Sequence, residues 1–293
     1  MPSFTAILRL TRPIHLLLAL LTYGLGIGIA RYLGGVMRPV PQFFGGLSLL
    51  LLLAAANLLG EYFRPPNEPI VPAETRQKRA ELRSILLTVS AAFITSAVLL
   101  AFLLGWQGYL PAQAALLMVF YLLLILSIAV PPVRLLERGF GEIITAFLIA
   151  VLTPAIAFLL FVPEVHPFLI GFTFPLFLLG LAWLLATSFE NYPEHLKYQH
   201  HNLLMRLTWQ RAVLVHDGLL IAAYFFLAVL PFLGLPFRLV WPALLTLPLA
   251  AYQIFMLRNI AAGAKPIWTA LNIAATAVFG LTAYLITITF WLR

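Results

Sequence analysis

The sequence predicts an all-α polytopic membrane protein, with nine transmembrane helices in one bundle and a polar cap on one face. Three observations predict it. The 293 residues are 62% hydrophobic and 10% charged, whereas soluble proteins are about a quarter charged. Apolar runs long enough to cross a hydrocarbon core recur from Ile14 to the end of the chain. The basic residues sit in short connections between those runs, most of them on alternate ones.

The runs cover roughly 14–34, 42–63, 85–105, 110–130, 141–162, 167–188, 211–233, 239–256 and 267–291. They are continuous, without the alternation of barrel strands, so they read as helices. No polar stretch is long enough for a soluble domain, and 1–293 reads as a single membrane domain. The basic start, MPSFTAILRLTRP, is not followed by a small-residue cleavage site, so the first run reads as a retained span.

An odd number of spans puts the termini on opposite sides. Arg9, Arg12, Arg64, Arg76, Lys78, Arg79, Arg83, Arg134, Arg138, Lys197, Arg206, Arg211, Arg258 and Lys265 fall on the N-terminal side. Arg31, Arg38, Arg238 and Arg293 fall on the other, so fourteen of the 18 cations share one face. The positive-inside rule makes that face cytoplasmic and sends the C-terminus across the inner or plasma membrane. The chain has no Cys, which excludes disulfides and thiolate ligands. Its net charge of +8 does not imply nucleic acid, because no basic stripe interleaved with aromatics is present.

Within the spans, Gly24 and Gly28 of GLGIG form a small-residue face suited to close helix approach. Pro154, Pro175, Pro242 and Pro248 should kink their spans, with neighbouring helices satisfying the freed carbonyls. Outer connections such as 105–110 are short and nearly uncharged, and the one after the seventh span (LPFLGLPFR) is proline-rich. Three inner connections, 64–84, 131–141 and 189–210, are longer and polar. A polar crown over an apolar bundle suits a ligand with a charged head and an apolar tail.

Several groups in that crown are candidates for chemistry, and each has a plainer reading. Asn57 and Glu61 end the second run one helical turn apart. A carboxylate there is either a functional group or a side chain reaching for the interface. Glu190 and Glu194 of ENYPE would repel each other on one helix face unless a cation sits between them. They are either a Mg²⁺ pair or a solvated acidic end near Lys197. In PPVRLLERGFGE, Arg134 and Arg138 would present two cations to one anion if the segment is helical, and Gly139 and Gly141 would let backbone amides approach it. The plainer reading is a positive-inside loop, with Glu142 serving as a helix-start charge. Asp217, the one Asp in the chain, lies just inside the seventh run beside His216 and should pair with Arg211 or a neighbouring helix. His195, His200 and His201 lack the spacing of a zinc site and read as loop residues.

The order of these motifs resembles the UbiA-type intramembrane prenyltransferases, and the resemblance spans the whole chain. Asn57 fits the leading Asn of that family's N-x-x-N-D-x-x-D motif, and Glu61 falls at its first Asp. Asn67 to Pro72 (NEPIVP) is similar to N-R-P-I-x-S-G. Ser127 to Glu142 is close to Y-S-x-P-P-x-R-x-x-x-R-G-x-G-E, and Glu190-xxx-Glu194 takes the place of D-x-x-x-D. Arg12-Pro13 matches the R-P before the first span, and Arg206-Leu207-Thr208 falls near R-L-G. Arg64 replaces the second Asp of the first motif, Gly60 its second Asn, and Ile128 the loop Tyr.

The resemblance implies transfer of a polyprenyl group from an isoprenyl diphosphate to an aromatic or other lipid-precursor acceptor, with Mg²⁺. It makes Glu61, Glu190 and Glu194 converging Mg²⁺ ligands, with Asn57 and Asn191 in support. Arg64, Arg134, Arg138 and Lys197 become diphosphate contacts, and Tyr62, Tyr192 and Tyr198 ring neighbours. With Arg64 in the motif, either one metal suffices, or Arg64 substitutes a fixed cation for one metal, or the site has lost its chemistry. The last option makes the chain a non-catalytic relative that binds or moves an isoprenoid lipid.

Overall fold

The computed structural model describes residues 4–71 and 75–293. Pro72, the end of the NEPIVP stretch, lies outside them. Among the described residues no strand occurs, and nine helices are long and apolar enough to cross a membrane. They are Pro13–Tyr32, Pro39–Tyr62, Arg76–Trp106, Ala112–Ala129, Gly141–Leu159, Pro167–Ser188, Trp209–Leu233, Phe237–Ala261 and Trp268–Trp291, here spans 1 to 9.

Span 3 starts at Arg76, well ahead of the apolar run expected from 85. The Thr75 hydroxyl caps it by accepting from the Lys78 amide at 3.3 Å. The polar residues that follow are mostly good helix formers, so the helix projects beyond its apolar stretch. Much of the expected 64–84 connection is therefore helix.

Span 1 packs against spans 5 and 9, and span 6 against spans 7 and 9. Span 3 lies against span 2 at the edge. Fully buried Leu25, Ile29, Phe158, Phe172, Phe279 and Phe290 fill the middle of the bundle.

The intramembrane prolines are accommodated as their positions require. A π-helical turn over Leu148–Leu152 precedes Pro154 in span 5. The Thr153 hydroxyl donates to the Leu148 carbonyl at 2.7 Å, and Thr22 of span 1 donates to Ile149 at 2.6 Å. Span 8 breaks at Leu245 and Thr246, between Pro242 and Pro248. There the Thr246 hydroxyl meets the Ala243 carbonyl at 2.7 Å, Tyr224 of span 7 at 2.8 Å and Thr282 of span 9 at 2.7 Å. Carbonyls beside the prolines thus find hydroxyl partners in their own span or, for Ile149, on a neighbouring helix, the condition for irregular backbone at this depth.

The tight contact of span 1 falls on Gly26, a position outside the expected Gly24 and Gly28 pair. A Cβ on Gly26 would land on the Pro154 carbonyl oxygen. One on Gly28 would press the Trp291 ring at 3.0 Å, and one on Gly24 would make ordinary contact with Thr287 at 3.6 Å. Gly26→Val is expected to destabilise the solubilised protein by about 1–3 kcal/mol, the cost of overpacking a filled interior. Gly24→Ala should melt close to the parent. Thermal unfolding followed by circular dichroism checks both.

Candidate active site

Span 2 delivers Asn57 and Glu61 to the segment that precedes span 1. The Asn57 amide donates to the Thr11 carbonyl at 2.8 Å. Arg12 follows with φ 53°, turning the chain between the short helix Phe4–Leu10 and span 1, and its Nη2 lies 3.5 Å from Glu61. Glu61 is 5% exposed, so it does not reach out to water. Its other oxygen meets Arg64 Nη2 at 2.5 Å.

Arg64 also reaches Glu68, whose Oε1 lies 3.0 Å from Nη1, and donates to the Pro69 carbonyl at 3.0 Å. Glu68 is 6% exposed, and its second oxygen meets His200 Nε2 at 2.7 Å. His200 Nδ1 in turn lies 3.2 Å from His195 Nδ1. A chain of groups, Arg12–Glu61–Arg64–Glu68–His200–His195, thus crosses the cap from the entry of span 1 to the connection after span 6. Burial alone would raise the Glu68 carboxyl, but the His200 hydrogen bond and the Arg64 charge hold it below the usual carboxylate range. Burial first, then neighbouring His200, pushes the His195 imidazole down to about 4. The loop backbone is held as well. Arg79 donates to the carbonyls of Pro65 at 2.6 Å, Pro66 at 2.8 Å and Glu68 at 2.8 Å, and Arg83 donates to that of Arg64 at 2.5 Å.

The connection between spans 4 and 5 departs from the helical expectation. Residues Leu135–Arg138 form a 3₁₀ turn, and Arg134 precedes it with φ 37°. Arg134 pairs with Glu137 at 2.6 Å, while Arg138 donates to the Pro132 carbonyl at 3.1 Å. The two guanidiniums therefore have separate partners, since a tighter helix does not align residues four apart. Gly139 has φ 75°, and a Cβ there would collide with the Arg206 side chain. Arg206 uses that space to donate to the Arg138 carbonyl at 2.9 Å and to cover the Phe140 ring at 4.8 Å. Glu142 accepts from the Leu203 amide at 3.3 Å, so it serves the start of the short helix Leu203–Leu207.

After span 6, Glu190 and Asn191 lie in a turn, and a separate short helix, Tyr192–Lys197, begins with Pro193 in its first turn. Glu190 and Glu194 therefore sit in different elements instead of on one helix face. Glu190, Asn191, Glu194 and Lys197 are all exposed. Glu190 accepts from the Asn272 amide of span 9 at 2.6 Å. It stands at one end of an apolar groove of about 570 Å³ between spans 1 and 9, lined by Ile14, Leu17, Ile273 and Gly280 among others. Lys197 Nζ lies 4.9 Å from the Tyr198 ring, Tyr192 packs edge-on to Trp209, and Tyr62 edge-on to Phe63.

Glu61, Glu190 and Glu194 are not assembled into the expected common ligand set. Two guanidiniums take Glu61, and Glu190 turns to Asn272. Among the described residues no three His, Asp or Glu side chains form a group that could hold a metal. Glu190, Asn191 and Glu194, all exposed, are oxygen donors of the kind that Mg²⁺ takes. That ion takes one or two carboxylates and completes its shell with water and phosphate oxygens.

Some groups of the network do not stand out in the sequence. Glu68 was visible only as part of a proline-framed loop, and His195 and His200 were read as plain loop residues. Asp217 pairs with a neighbouring helix as expected, but through Arg258 of span 8 at 2.6 Å and not Arg211. His216 lies 3.1 Å from Asp217 and 2.8 Å from Gln253.

No family model and no curated protein matches the chain. Solved structures do. A UbiA homolog from Archaeoglobus fulgidus bound to DMAPP and Mg²⁺ superposes with a TM-score of 0.64 and 18% identity, over 96% of this chain and 99% of that one. The same homolog bound to GPP and Mg²⁺ gives the same values. Its Cd²⁺-bound form gives a TM-score of 0.60 and 19% identity over the same shares. The nine-span bundle with its polar cap is a polytopic membrane fold. It is the UbiA-type fold.

His195 ties cap stability to pH. Its folded pKa is depressed, so between about 6.5 and about 4 the unfolded chain binds a proton that the folded cap refuses. Glu68, also depressed, adds stability that is present above its unfolded value and lost as pH falls through its folded one. The melting temperature is expected to fall as pH drops from 6.5 toward 4, and to fall less in His195→Asn. Differential scanning fluorimetry across that range reads the difference.

Proposed function

We propose that this chain is a UbiA-type prenyltransferase over its whole length, 1–293. It transfers a polyprenyl group from an isoprenyl diphosphate to an aromatic or other lipid-precursor acceptor, in quinone-type biosynthesis. It sits in the inner or plasma membrane with the cap and N-terminus cytoplasmic and the C-terminus opposite. The observation that carries the reading is the fold likeness over 96% of the chain to structures bound to DMAPP or GPP with Mg²⁺. A cap dense in guanidiniums supports it.

In this reading Arg12, Arg64, Arg134, Arg138 and Lys197 contact the diphosphate. Asn57 and Glu61 position the Arg12 segment, and Glu61 with Glu68 fixes the Arg64 fork. Fixed cations facing the departing diphosphate stabilise the charge that builds on it as the C–O bond breaks. Glu190 and Glu194, supported by Asn191, are the residues that would hold Mg²⁺, and the ion when bound neutralises part of that charge. The apolar bundle keeps water from the allylic cation until the acceptor captures it. The groove between spans 1 and 9 leads the tail into lipid.

A second reading has one observation in its favour. Glu61 is closed by ion pairs and Glu190 by Asn272. That suits a non-catalytic relative that binds or moves an isoprenoid lipid.

Diphosphate release from GPP in nanodiscs, with lipid extracts of a deletion strain as acceptors, separates the two. Prenyl transfer is expected, and the product missing from the deletion strain identifies the acceptor. The double variant Glu190→Gln, Glu194→Gln should lower turnover about 10²-fold, as loss of a charge-stabilising group does. Unchanged turnover removes those residues from the metal site, and no release with any donor favours the lipid-binding relative.

A further inference from the structure

Two buried carboxylates on the cap face a single guanidinium. Glu61 comes from the last turn of span 2 and Glu68 from the loop after it, 5% and 6% exposed. Arg64 meets one at 2.5 Å and the other at 3.0 Å. Two buried negative charges without a positive one between them would protonate or recruit a cation from solution. We propose that Arg64 is a resident cation standing where a divalent metal would otherwise bind. The first acidic face of the cap then engages an anionic diphosphate without a metal ion of its own.

The proposal rests on the reading that the cap receives a diphosphate, and it assigns the cation requirement of that site. Three features favour a permanent occupant over a passing side chain. The fork of Arg64 spans two acids from different elements, a two-sided geometry that a planar guanidinium matches. Its backbone carbonyl is held by Arg83 and the following loop by Arg79. The far oxygen of Glu68 is held by His200. Glu68 and the loop that carries it are therefore fixed before a ligand arrives, so little reorganisation accompanies binding there.

Cations line the same part of the cap: Arg12 and Arg64 meet Glu61, Arg64 also meets Glu68, and Arg79 and Arg83 hold backbone carbonyls of the loop. Arg12, its side chain 46% exposed, touches Glu61 at 3.5 Å and presents its remaining donors outward. Mg²⁺ carried on a diphosphate is then needed on the Glu190 side alone.

The test uses the purified full chain in nanodiscs and inorganic pyrophosphate as probe. Calorimetry in EDTA is expected to show binding by the parent protein. In Arg64→Gln that binding should weaken at least about tenfold, as loss of a charged hydrogen-bond partner does, and recover when Mg²⁺ is added. Electron paramagnetic resonance with Mn²⁺ alone should count one more tight site in Arg64→Gln than in the parent, lost again when Glu68→Gln is combined with it. Binding of pyrophosphate by the parent only with Mg²⁺ overturns the proposal and leaves the prenyltransferase reading standing. An unchanged Mn²⁺ count in Arg64→Gln also overturns it. No binding under either condition overturns both. The parent measurement in EDTA decides the matter even where the variant does not fold.

Discussion

The cap is organised by the enclosure of Glu61 and Glu68 around Arg64. Charges this sheltered persist only when paired and hydrogen-bonded, and removing one partner of such a pair costs about 3–5 kcal/mol. Arg64 therefore fixes where the end of span 2 can stand relative to the loop after it. Through His200, the same enclosure fixes the connection after span 6. Through Arg12, it fixes the entry to span 1. Three segments far apart in sequence are registered against one another by a single guanidinium.

A second level of order lies inside the bundle, where helices have no hydrophobic force drawing them together in lipid. Hydroxyl groups and small residues do that work. Thr22 reaches a carbonyl in the π-helical turn of span 5, and Thr246 joins spans 7, 8 and 9 at the break in span 8. The irregular turns beside Pro154 and Pro248 are among the places where neighbouring helices are hydrogen-bonded together. The cap stands on spans whose relative positions these bonds define.

The number and order of the spans were legible because hydrocarbon imposes a length and a composition on every crossing segment. Where hydrocarbon stops, the rule stops. The early start of span 3 at Arg76 depends on a Thr cap and helix-forming polar residues, which hydropathy ignores. The contact at Gly26 was missed because the spacing of Gly24 and Gly28 marks a helix face but not which residue meets a neighbour's carbonyl. In the cap, Asn57 and Glu61 stand out by their place at the end of an apolar run, and Arg64 by its place in the resembled motif. Glu68 and His200 do not, because they are 132 positions apart and only the folded chain puts them 2.7 Å from each other. The expected grouping of Glu61 with Glu190 and Glu194 treated carboxylates on one face as free ligands. Sequence order does not show which cations have already claimed them.

Spans 1 and 9 are neighbours. The Trp291 indole donates to the Gly24 carbonyl at 2.9 Å, and the apolar groove lies in the seam between the two helices. A ribosome delivers span 1 long before span 9. Until span 9 has inserted, one wall of the groove does not exist, and the flank of span 1 stays wrapped in acyl chains. The lateral groove is thus completed only when span 9 joins span 1, and a nascent chain can bury most of its core well before it has a doorway.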